Sequence, residues 1–234
     1  MLALLYDIHG NLSALEAVLD DAERAGARRY LLGGDYALFG PWPEETIDRL
    51  EALPDAEWIR GNGERWTGDP AGAPDSALVQ GAVAACAVAL GNERVRRLAD
   101  LPEEAILDGV RYCHASPVSD VRSFFPEPAD DEEELLADVT EPRLVFGHTH
   151  LAFRRHARTP SGTEVELVNP GSVGMPFDGD PRAAYALVAD DGELELRRVD
   201  YDHAGAAAAV REHFGGGWAE TVARRVESGQ FDVD

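Results

Sequence analysis

Residues 1–11 read MLALLYDIHGN, and their pattern is the clearest indication of the fold class. Leu2 to Tyr6 is an uninterrupted apolar run, which is typical of a strand buried on both faces of a sheet. Two polar residues, Asp7 and His9, follow the run. From Leu12 to Ala22, apolar residues recur at spacings of three and four, which predicts a helix with one apolar face. The chain therefore opens with a strand, a polar turn and a helix, the first unit of an α/β fold.

The same alternation continues through the first hundred residues. Strands are predicted at Tyr30–Leu32 and Glu57–Ile59, with a helix near Glu44–Leu53 between them. Two helices are expected between residues 75 and 100. The apolar stretch Ala77–Leu90 is interpreted as a buried helix, because it is shorter than the ~20 residues that span a bilayer.

The second half of the chain is richer in predicted strands. These strands are Glu104–Leu107, Arg111–His114, Arg143–Phe146, Leu151–His156, Thr163–Val168, Ala183–Val188 and Glu193–Val199. A short acidic helix is expected around Asp130–Asp138, and two helices, Asp202–Phe214 and Trp218–Ser228, are expected to close the chain. No repeat or linker divides the sequence, so we expect one domain over residues 1–234.

The composition narrows the classes of partner. The net charge of −23 argues against an extended nucleic-acid-binding surface, because phosphate backbones are repelled by acidic surfaces. Cys86 and Cys113 are too few for a disulfide framework, and residues 1–11 lack the features of a secretion signal. We therefore expect a cytoplasmic protein without a membrane span.

Polar side chains that can bind metal ions stand where the predicted strands end. They are Asp7, His9, Asp35, Asn62, His114, His148 and His150. In open α/β sheets, ligands bind in the crevice outside the carboxyl ends of the strands, so residues far apart in sequence can meet there. Any single member is weak evidence, because a lone histidine is more often a structural or surface residue. The ordered set is far more specific, and it favours a metal centre.

The segments DIHGN, GGDY, RGNGE, CHASP and GHTH resemble the successive motifs of the calcineurin-like metallophosphoesterases. The resemblance covers nearly the whole chain. The segments GPWPEETIDRL and NPGSVGMPFDGDPRAAYALV are similar to the small single-domain members of bacteria and archaea. The resemblance implies an α/β/β/α sandwich of two mixed β-sheets flanked by helices.

The resemblance also implies a role for each ligand. One metal ion would bind Asp7, His9 and His150, the other would bind Asn62, His114 and His148, and Asp35 would bridge them. We expect Asp35, Asn62 and His114 to be the catalytic residues. Carboxylate, amide and imidazole ligands suit Mn²⁺, Fe²⁺, Ni²⁺, Zn²⁺ or Mg²⁺, with Mn²⁺ the first choice. Two such ions about 3.5–4 Å apart can activate a shared water for attack on phosphorus.

Two further residues are candidates for substrate binding. Arg60 precedes Gly61 and Asn62, where it could contact phosphate, although a structural ion pair is an equal alternative. Asn11 could donate a hydrogen bond to the substrate or cap the helix that follows.

The sequence departs from the family pattern at two places. Most enzymes of the superfamily have a histidine directly after the asparagine, thought to protonate or position the leaving group, whereas this chain has Gly63. Glu64 stands where an acidic residue would support that histidine. Leu38 and Phe39 replace the Asp-Arg pair with which protein phosphatases bind phosphate. We therefore expect a preference for leaving groups that depart without a proton.

The leading functional prediction is metal-dependent hydrolysis of phosphodiesters or activated phosphomonoesters, with a small phosphate ester or a nucleotide as substrate. The alternatives are a nucleotidase or diadenosine polyphosphate hydrolase, a Ser/Thr-type protein phosphatase, and a catalytically weak metal-bound module that binds phosphate compounds. The loops Phe39–Trp42, Trp66–Pro74 and Ser116–Pro128 are expected to form the pocket walls and to decide among substrates. The oligomeric state is left open.

Overall fold

The computed structural model describes residues 1–233, which form two five-stranded sheets packed face to face between helices. The strands are β1 Leu2–Leu5, β2 Arg29–Leu32, β3 Ala56–Trp58, β4 Glu104–Leu107, β5 Val110–Cys113, β6 Arg143–Val145, β7 Phe153–Arg158, β8 Glu164–Asn169, β9 Ala183–Val188 and β10 Leu194–Val199. The α-helices are α1 Leu12–Arg24, α2 Pro43–Glu51, α3 Asn62–Gly68, α4 Ala77–Ala99, α5 Glu132–Leu135, α6 His203–Phe214 and α7 Trp218–Ser228.

The first sheet has the strand order β10-β9-β1-β2-β3. Strands β1, β2 and β3 are parallel, and β9 and β10 add an antiparallel hairpin at one side. The apolar run at the start of the chain forms β1 at the centre, where all four of its residues are buried. Burial on both faces explains why this strand is apolar throughout and does not alternate.

The second sheet has the order β4-β5-β6-β8-β7. Its central strands β5, β6 and β8 are parallel, while the outer strands β4 and β7 run antiparallel to their neighbours. Both sheets are therefore mixed, and the predicted α/β/β/α architecture is confirmed.

The inner faces of the two sheets share one apolar core, to which Leu4 and Leu31 contribute from the first sheet and Val145 and Val168 from the second. Helices α1, α2 and α4 cover the outer face of the first sheet. Full burial of each Leu or Val contributes about 1.5–3 kcal/mol. This packing holds the carboxyl ends of the parallel strands in fixed positions.

The structure differs from the sequence predictions in the chain segment that connects β3 of the first sheet to β4 of the second. Helix α3, which begins at Asn62, was not predicted. Helix α4 contains a kink at Gly91, where φ is 71° and ψ is 159°, so it consists of the two predicted helical segments in one element. Val88 in its first segment is 85% exposed, so this stretch is buried on one face only. Within residues 1–233, no helix is both long and apolar enough to cross a bilayer.

The last two helices pack on each other around their own apolar cluster, which includes Val210 and Val226 and contacts Met175. Helix α7 is capped at its C-terminus by Gly229, which has the left-handed conformation favoured by glycine. The chain then turns back, and Gln230 forms a β-bridge with Asp178. Residues 229–233, the C-terminal segment, are thereby placed beside Phe177.

Candidate metal centre

The seven predicted ligands meet at the carboxyl ends of the parallel strands. Asp7 and His9 follow β1, Asp35 follows β2, and His114 follows β5. The other members lie at the start of α3 and in the loop after β6. Together they form the ligand cluster, which comprises Asp7, His9, Asp35, Asn62, His114, His148 and His150. The convergence follows from the strand order, because neighbouring parallel strands end at the same edge of a sheet.

Five members of the ligand cluster have a backbone conformation that is rare outside glycine. They are Asp7, His9, Asp35, His148 and His150, with φ between 53° and 67°. Each such residue costs about 1–3 kcal/mol and persists only where the surrounding structure enforces it. The loops are enforced by mutual hydrogen bonds: His9 N donates to Asp35 O at 2.9 Å, and His148 N donates to Asp7 Oδ2 at 2.9 Å.

The end of β8 and the loop that follows it form hydrogen bonds to the backbone of the ligand cluster and its neighbours. The buried hydroxyl of Ser172 donates to the carbonyl oxygen of Asp7 at 2.6 Å and accepts from Met175 N at 2.8 Å. The buried amide of Asn169 donates to Gly147 O at 3.0 Å and to Thr149 Oγ1 at 2.9 Å. These hydrogen bonds fix the backbone on both sides of the cluster.

Three histidines of the ligand cluster are oriented by backbone carbonyl groups. Nδ1 of His9 lies 3.0 Å from Leu38 O, Nδ1 of His114 lies 2.9 Å from Gly33 O, and Nδ1 of His150 lies 2.6 Å from Met175 O. A carbonyl oxygen can only accept, so Nδ1 carries the proton in each ring. The Nε2 lone pairs are therefore directed into the cluster, as in metal-binding histidines whose other nitrogen is hydrogen-bonded.

In the first half of the ligand cluster, which contains Asp7, His9 and His150, acceptor atoms face one another without a donor. Nε2 of His9 lies 3.1 Å from Nε2 of His150, and Asp7 Oδ1 lies 3.5 Å from the latter atom. Asp7 Oδ1 is buried and has no hydrogen-bond partner among residues 1–233. Burial lowers the pKa of His9 to about 3, so protonation of this ring does not relieve the repulsion at neutral pH. A cation among these atoms would relieve it, so the donor set fits a metal ion.

The second half contains Asn62, His114 and His148. The Asn62 amide directs one terminal atom at His114 Nε2, 2.9 Å away, and at His148 Nδ1, 2.8 Å away. With nitrogen at that position, the amide donates to both rings. With oxygen there, three acceptors converge on one point, which is the arrangement that a divalent cation requires. Burial lowers the pKa of His148 to about 4, which favours the neutral, metal-binding form.

Asp35 lies between the two halves. Its Oδ2 is 3.9 Å from Nε2 of His9, and its Oδ1 is 3.6 Å from Nε2 of His114. One carboxylate oxygen thus faces each half, as expected of a bridging ligand. Asp7 is also central, because its Oδ1 lies 3.9 Å from Nε2 of His114. Burial opposes ionisation of Asp7, yet His150 and the neighbouring imidazoles hold the pKa of Asp7 below its ordinary value.

The structure gives a steric reason for Gly63. Its N–H donates to Asp35 Oδ1 at 2.6 Å, and a Cβ atom added to Gly63 would lie 2.9 Å from that same oxygen. A side chain here would displace Asp35 from the centre of the ligand cluster. The site therefore has no room for a histidine at this position unless Asp35 moves.

Glu64 has a role that the family pattern did not indicate. Its buried carboxyl group accepts from the N–H groups of Asp35, Tyr36 and Gly61, each at 2.8 Å. Burial raises the pKa of Glu64 to about 7, although the N–H donors favour the ionised form. Glu64 thus binds the start of α3 to the loop that carries Asp35, and it has no histidine to support.

A cavity of about 300 Å³ opens beside the ligand cluster. Phe39 and Trp66 lie in its wall, in agreement with two of the three predicted loops. Phe177, Arg225 and Phe231 also lie in the wall and were not predicted. Of the third predicted loop, Ser116–Pro128, residues 116–121 line a separate cavity of about 530 Å³ on the His114 side.

Both predicted substrate-binding residues have protein partners. Arg60 lines the second cavity, pairs with Glu103 and donates to Ala99 O at 3.1 Å. The Asn11 side chain caps α1 by accepting from Ala14 N at 3.2 Å, and it donates to Gly174 O at 2.8 Å. The structure therefore contains the ion pair and the cap offered as alternatives, and substrate contact stays a prediction for both residues.

The comparison with known proteins agrees with these motifs. Residues 1–192 match the calcineurin-like phosphoesterase superfamily domain. An uncharacterized protein from Methanocaldococcus jannaschii is 29% identical over 229 residues, which cover 86% of this chain and 88% of that protein.

Two solved structures are similar over nearly their whole length. A metallophosphoesterase from Sphaerobacter thermophilus has a TM-score of 0.80 at 27% identity, covering 97% of this chain and 99% of that chain. A hypothetical protein from Pyrococcus horikoshii has a TM-score of 0.81 at 22% identity, covering 98% and 99%, and it shows a shared fold alone. Because the family match includes most of the chain and all seven members of the ligand cluster, the protein belongs to the calcineurin-like phosphoesterase superfamily.

Proposed function

We propose that this protein is a phosphoesterase that uses two divalent cations, Mn²⁺ foremost, to hydrolyse phosphodiesters or activated phosphomonoesters. The observation that carries the proposal is the set of facing acceptors in the ligand cluster: the Nε2 atoms of His9 and His150 at 3.1 Å, beside the unpartnered Asp7 Oδ1. Such a set is costly when it binds nothing and favourable around a cation. Membership of a phosphoesterase family supports a hydrolase.

Each residue of the ligand cluster has a defined task in this proposal. His9, His150 and Asp7 would hold one ion, and Asn62, His114 and His148 would hold the other, with Asp35 facing both. When bound, two divalent ions lower the pKa of a shared water and offset the negative charge of phosphoryl oxygens. The protein fixes the imidazole rings through backbone carbonyl groups, so the ligands need little reorganisation during the reaction.

The surroundings of the ligand cluster favour a particular leaving group. Among residues 1–233, the cavity lining offers no carboxyl or imidazole group outside the ligand cluster, and Gly63 replaces the family's histidine. General acid assistance typically contributes ~10²–10⁴-fold, and it matters most for strongly basic leaving oxygens. We therefore infer a preference for aryl oxides and phosphate anions over alkoxides as leaving groups.

The cavity wall is consistent with an aromatic group on the substrate. Phe39, Trp66 and Phe231 present apolar surface next to the ligand cluster. A flat group in contact with these rings would be stabilised by burial and by aromatic packing. Aryl phosphodiesters and nucleotides combine such a group with a phosphorus centre.

The test is turnover of bis(p-nitrophenyl) phosphate by protein that has been stripped with chelator and then loaded with Mn²⁺, Ni²⁺, Zn²⁺ or Mg²⁺. We expect no turnover by the stripped protein and restored turnover after loading, with two metal equivalents bound per chain. Equal rates for stripped and loaded protein, or one equivalent at full activity, would contradict the two-metal proposal.

The alternative functions can be distinguished by the class of phosphate compound that the protein hydrolyses. A diadenosine polyphosphate hydrolase would cleave an anhydride, whose phosphate leaving group suits this site equally well, whereas a nucleotidase would release the alkoxide of a sugar. A Ser/Thr-type phosphatase would release an alkoxide without the acid that this reaction needs, so it is disfavoured. A metal-bound module without catalytic power would bind phosphate compounds and turn over none of them.

A further inference from the structure

Helix α7 places an arginine in the wall of the cavity that adjoins the ligand cluster. Arg225 lies on this helix, and Phe231 follows in the C-terminal segment that turns back towards Phe177. We call Arg225 and Phe231 the C-terminal wall. Both residues lie beyond residue 192, where the family match ends.

The guanidinium group of Arg225 is held in a defined orientation. Its Nε donates to Phe231 O at 3.0 Å, and its central carbon lies 4.2 Å from the centre of the Phe231 ring and 5.7 Å from that of Phe177. Phe177 in turn stacks on the His150 ring at 4.3 Å with an interplanar angle of 16°. A single phenyl ring therefore separates Arg225 from a member of the ligand cluster.

The outer nitrogens of this guanidinium are available. Among residues 1–233, no acceptor forms a hydrogen bond with either Nη atom of Arg225. Stacking covers the face of the group, whereas the N–H bonds point outward from its edge. The edge of a guanidinium matches two oxygens of a phosphate group.

The ion-pair pattern of the protein distinguishes Arg225 from its other arginines. Within residues 1–233, the arginines without a carboxylate oxygen within 4.0 Å are Arg24, Arg28, Arg96, Arg158 and Arg225. The first four are exposed, and Arg225 is half-buried. Burial lowers the pKa of Arg225, with Asp232 acting in the opposite direction. In a chain of net charge −23, Arg225 thus places a positive charge in the cavity wall with no carboxylate oxygen of residues 1–233 within 4.0 Å.

We propose that Arg225 is a substrate-binding residue, whose Nη–H groups bind non-bridging oxygens of the phosphoester held at the ligand cluster. The inference rests on the proposed function, and it adds a cationic contact supplied by the C-terminal helix. Phosphate is the fitting occupant, because the guanidinium edge takes oxygens in pairs and the neighbouring rings accept the organic part of the ester.

The test compares Arg225→Met with Arg224→Met. Met keeps most of the apolar stem and removes the charge. Arg224 is the adjacent residue on the same helix, is exposed, and pairs with Glu220 at 2.9 Å. Both variants therefore change the net charge equally, and only one changes the cavity. The measurements are calorimetric binding of inorganic phosphate to the Mn²⁺-loaded protein, metal content, and kcat and KM for bis(p-nitrophenyl) phosphate.

We expect Arg225→Met to weaken phosphate binding roughly 10-fold to 100-fold, the usual range for a hydrogen bond to a charged group. The KM for bis(p-nitrophenyl) phosphate should rise as well. Arg224→Met should match wild type in both, and the metal content should be the same in all three proteins. Arg225→Lys, which keeps the charge and loses the paired N–H edge, should give an intermediate affinity.

The inference is overturned if wild type and Arg225→Met bind phosphate equally, or if wild type binds none. Should Arg225→Met fail to fold, Arg225→Lys decides: wild-type affinity in that variant contradicts paired N–H binding. Arg225-dependent phosphate binding in a protein that hydrolyses no ester would support this inference and contradict the proposed function. Hydrolysis with phosphate binding insensitive to Arg225 would do the reverse.

Discussion

The ligand cluster and the C-terminal wall face the same cavity, but they are built in different ways. The cluster consists of short motifs at strand ends, and several of its backbone angles are held in a rare conformation by hydrogen bonds between loops. The wall consists of Arg225 and Phe231, which reach the cavity through helix packing and a chain reversal. The first arrangement depends on hydrogen bonds of the backbone, whereas the second depends on the packing of side chains. This difference predicts that changes in the cluster act on kcat and metal content, and changes in the wall act on KM.

The largest effect is expected from removing the metal ions altogether. A chelator should abolish phosphodiester turnover and lower the melting temperature, because metal that binds only the native state stabilises it. The stabilisation is about 4 kcal/mol when the free ion is at a thousand times its Kd. A turnover assay and scanning calorimetry, each with and without EDTA and then after Mn²⁺ addition, measure the two changes. A melting temperature that is unaffected by EDTA would contradict metal binding at the ligand cluster.

Asp35→Asn should have the next largest effect. It keeps the size of the side chain and removes the charge that faces both halves of the cluster. We expect turnover to fall by more than the roughly 10–100-fold typical of residues that only support a metal ligand. His203→Ala, at the start of α6 and outside the cavity lining, is the control. Equal losses in the two variants, or two fully occupied metal sites in Asp35→Asn, would refute the bridging assignment.

Gly63 tests whether the cluster tolerates displacement. From sequence alone, Gly63→His would be expected to supply the missing acid and to improve the cleavage of alkyl esters. The structure reverses this expectation, because a Cβ at this position would lie 2.9 Å from Asp35 Oδ1. Gly63→Ala and Gly63→His should both lose metal and activity, by about tenfold or more if Asp35 moves.

The control for this substitution is Gly72→Ala, at an exposed position where the nearest contact of an added Cβ would be 3.2 Å. Metal content and kcat, measured at saturating Mn²⁺, separate the two positions. Unchanged metal content in Gly63→His, together with faster cleavage of alkyl monoesters, would restore the first expectation.

The smallest effect is expected at the wall. Phe231→Leu removes an aromatic ring that is 53% exposed and keeps the backbone carbonyl that orients Arg225. Loss of aromatic packing, about 0.5–1.5 kcal/mol, should raise KM for bis(p-nitrophenyl) phosphate roughly 2-fold to 12-fold without changing kcat. Val88→Ala, on an exposed face of α4, is the control. A change in kcat with constant KM would show that Phe231 acts as the members of the ligand cluster are expected to act, and it would contradict the assignment of Phe231 to substrate binding.

The sequence predicted the fold and the members of the cluster because both depend on local patterns. An apolar run such as Leu2–Tyr6 has few alternatives to a buried strand, and the polar residues that follow such runs are brought to one edge by the parallel arrangement. The positive φ angles of Asp7 and His148 have no comparable signal, because they result from contacts between loops distant in sequence.

Helix α3 and the C-terminal wall were missed for related reasons. The segment that begins at Asn62 contains Gly63 and has weak helix propensity, and it is held by the bonds of Glu64 to two loops. Arg225 follows apolar positions on an amphipathic helix, where an arginine is most simply interpreted as a surface residue. Only the chain reversal at Gly229 reveals that it faces a cavity. The cytoplasmic location and the single domain over residues 1–234 stay predictions.

The separate apolar cluster that holds α6 and α7 together has an evolutionary consequence. A substitution at Arg225 on α7 can alter which molecules enter the cavity without removing a member of the ligand cluster, because Arg225 lies in the cavity wall and outside the cluster. Relatives with the same motifs can therefore differ in the molecules that they accept through changes from His203 onwards, so a shared motif set indicates a common chemistry and not a common substrate.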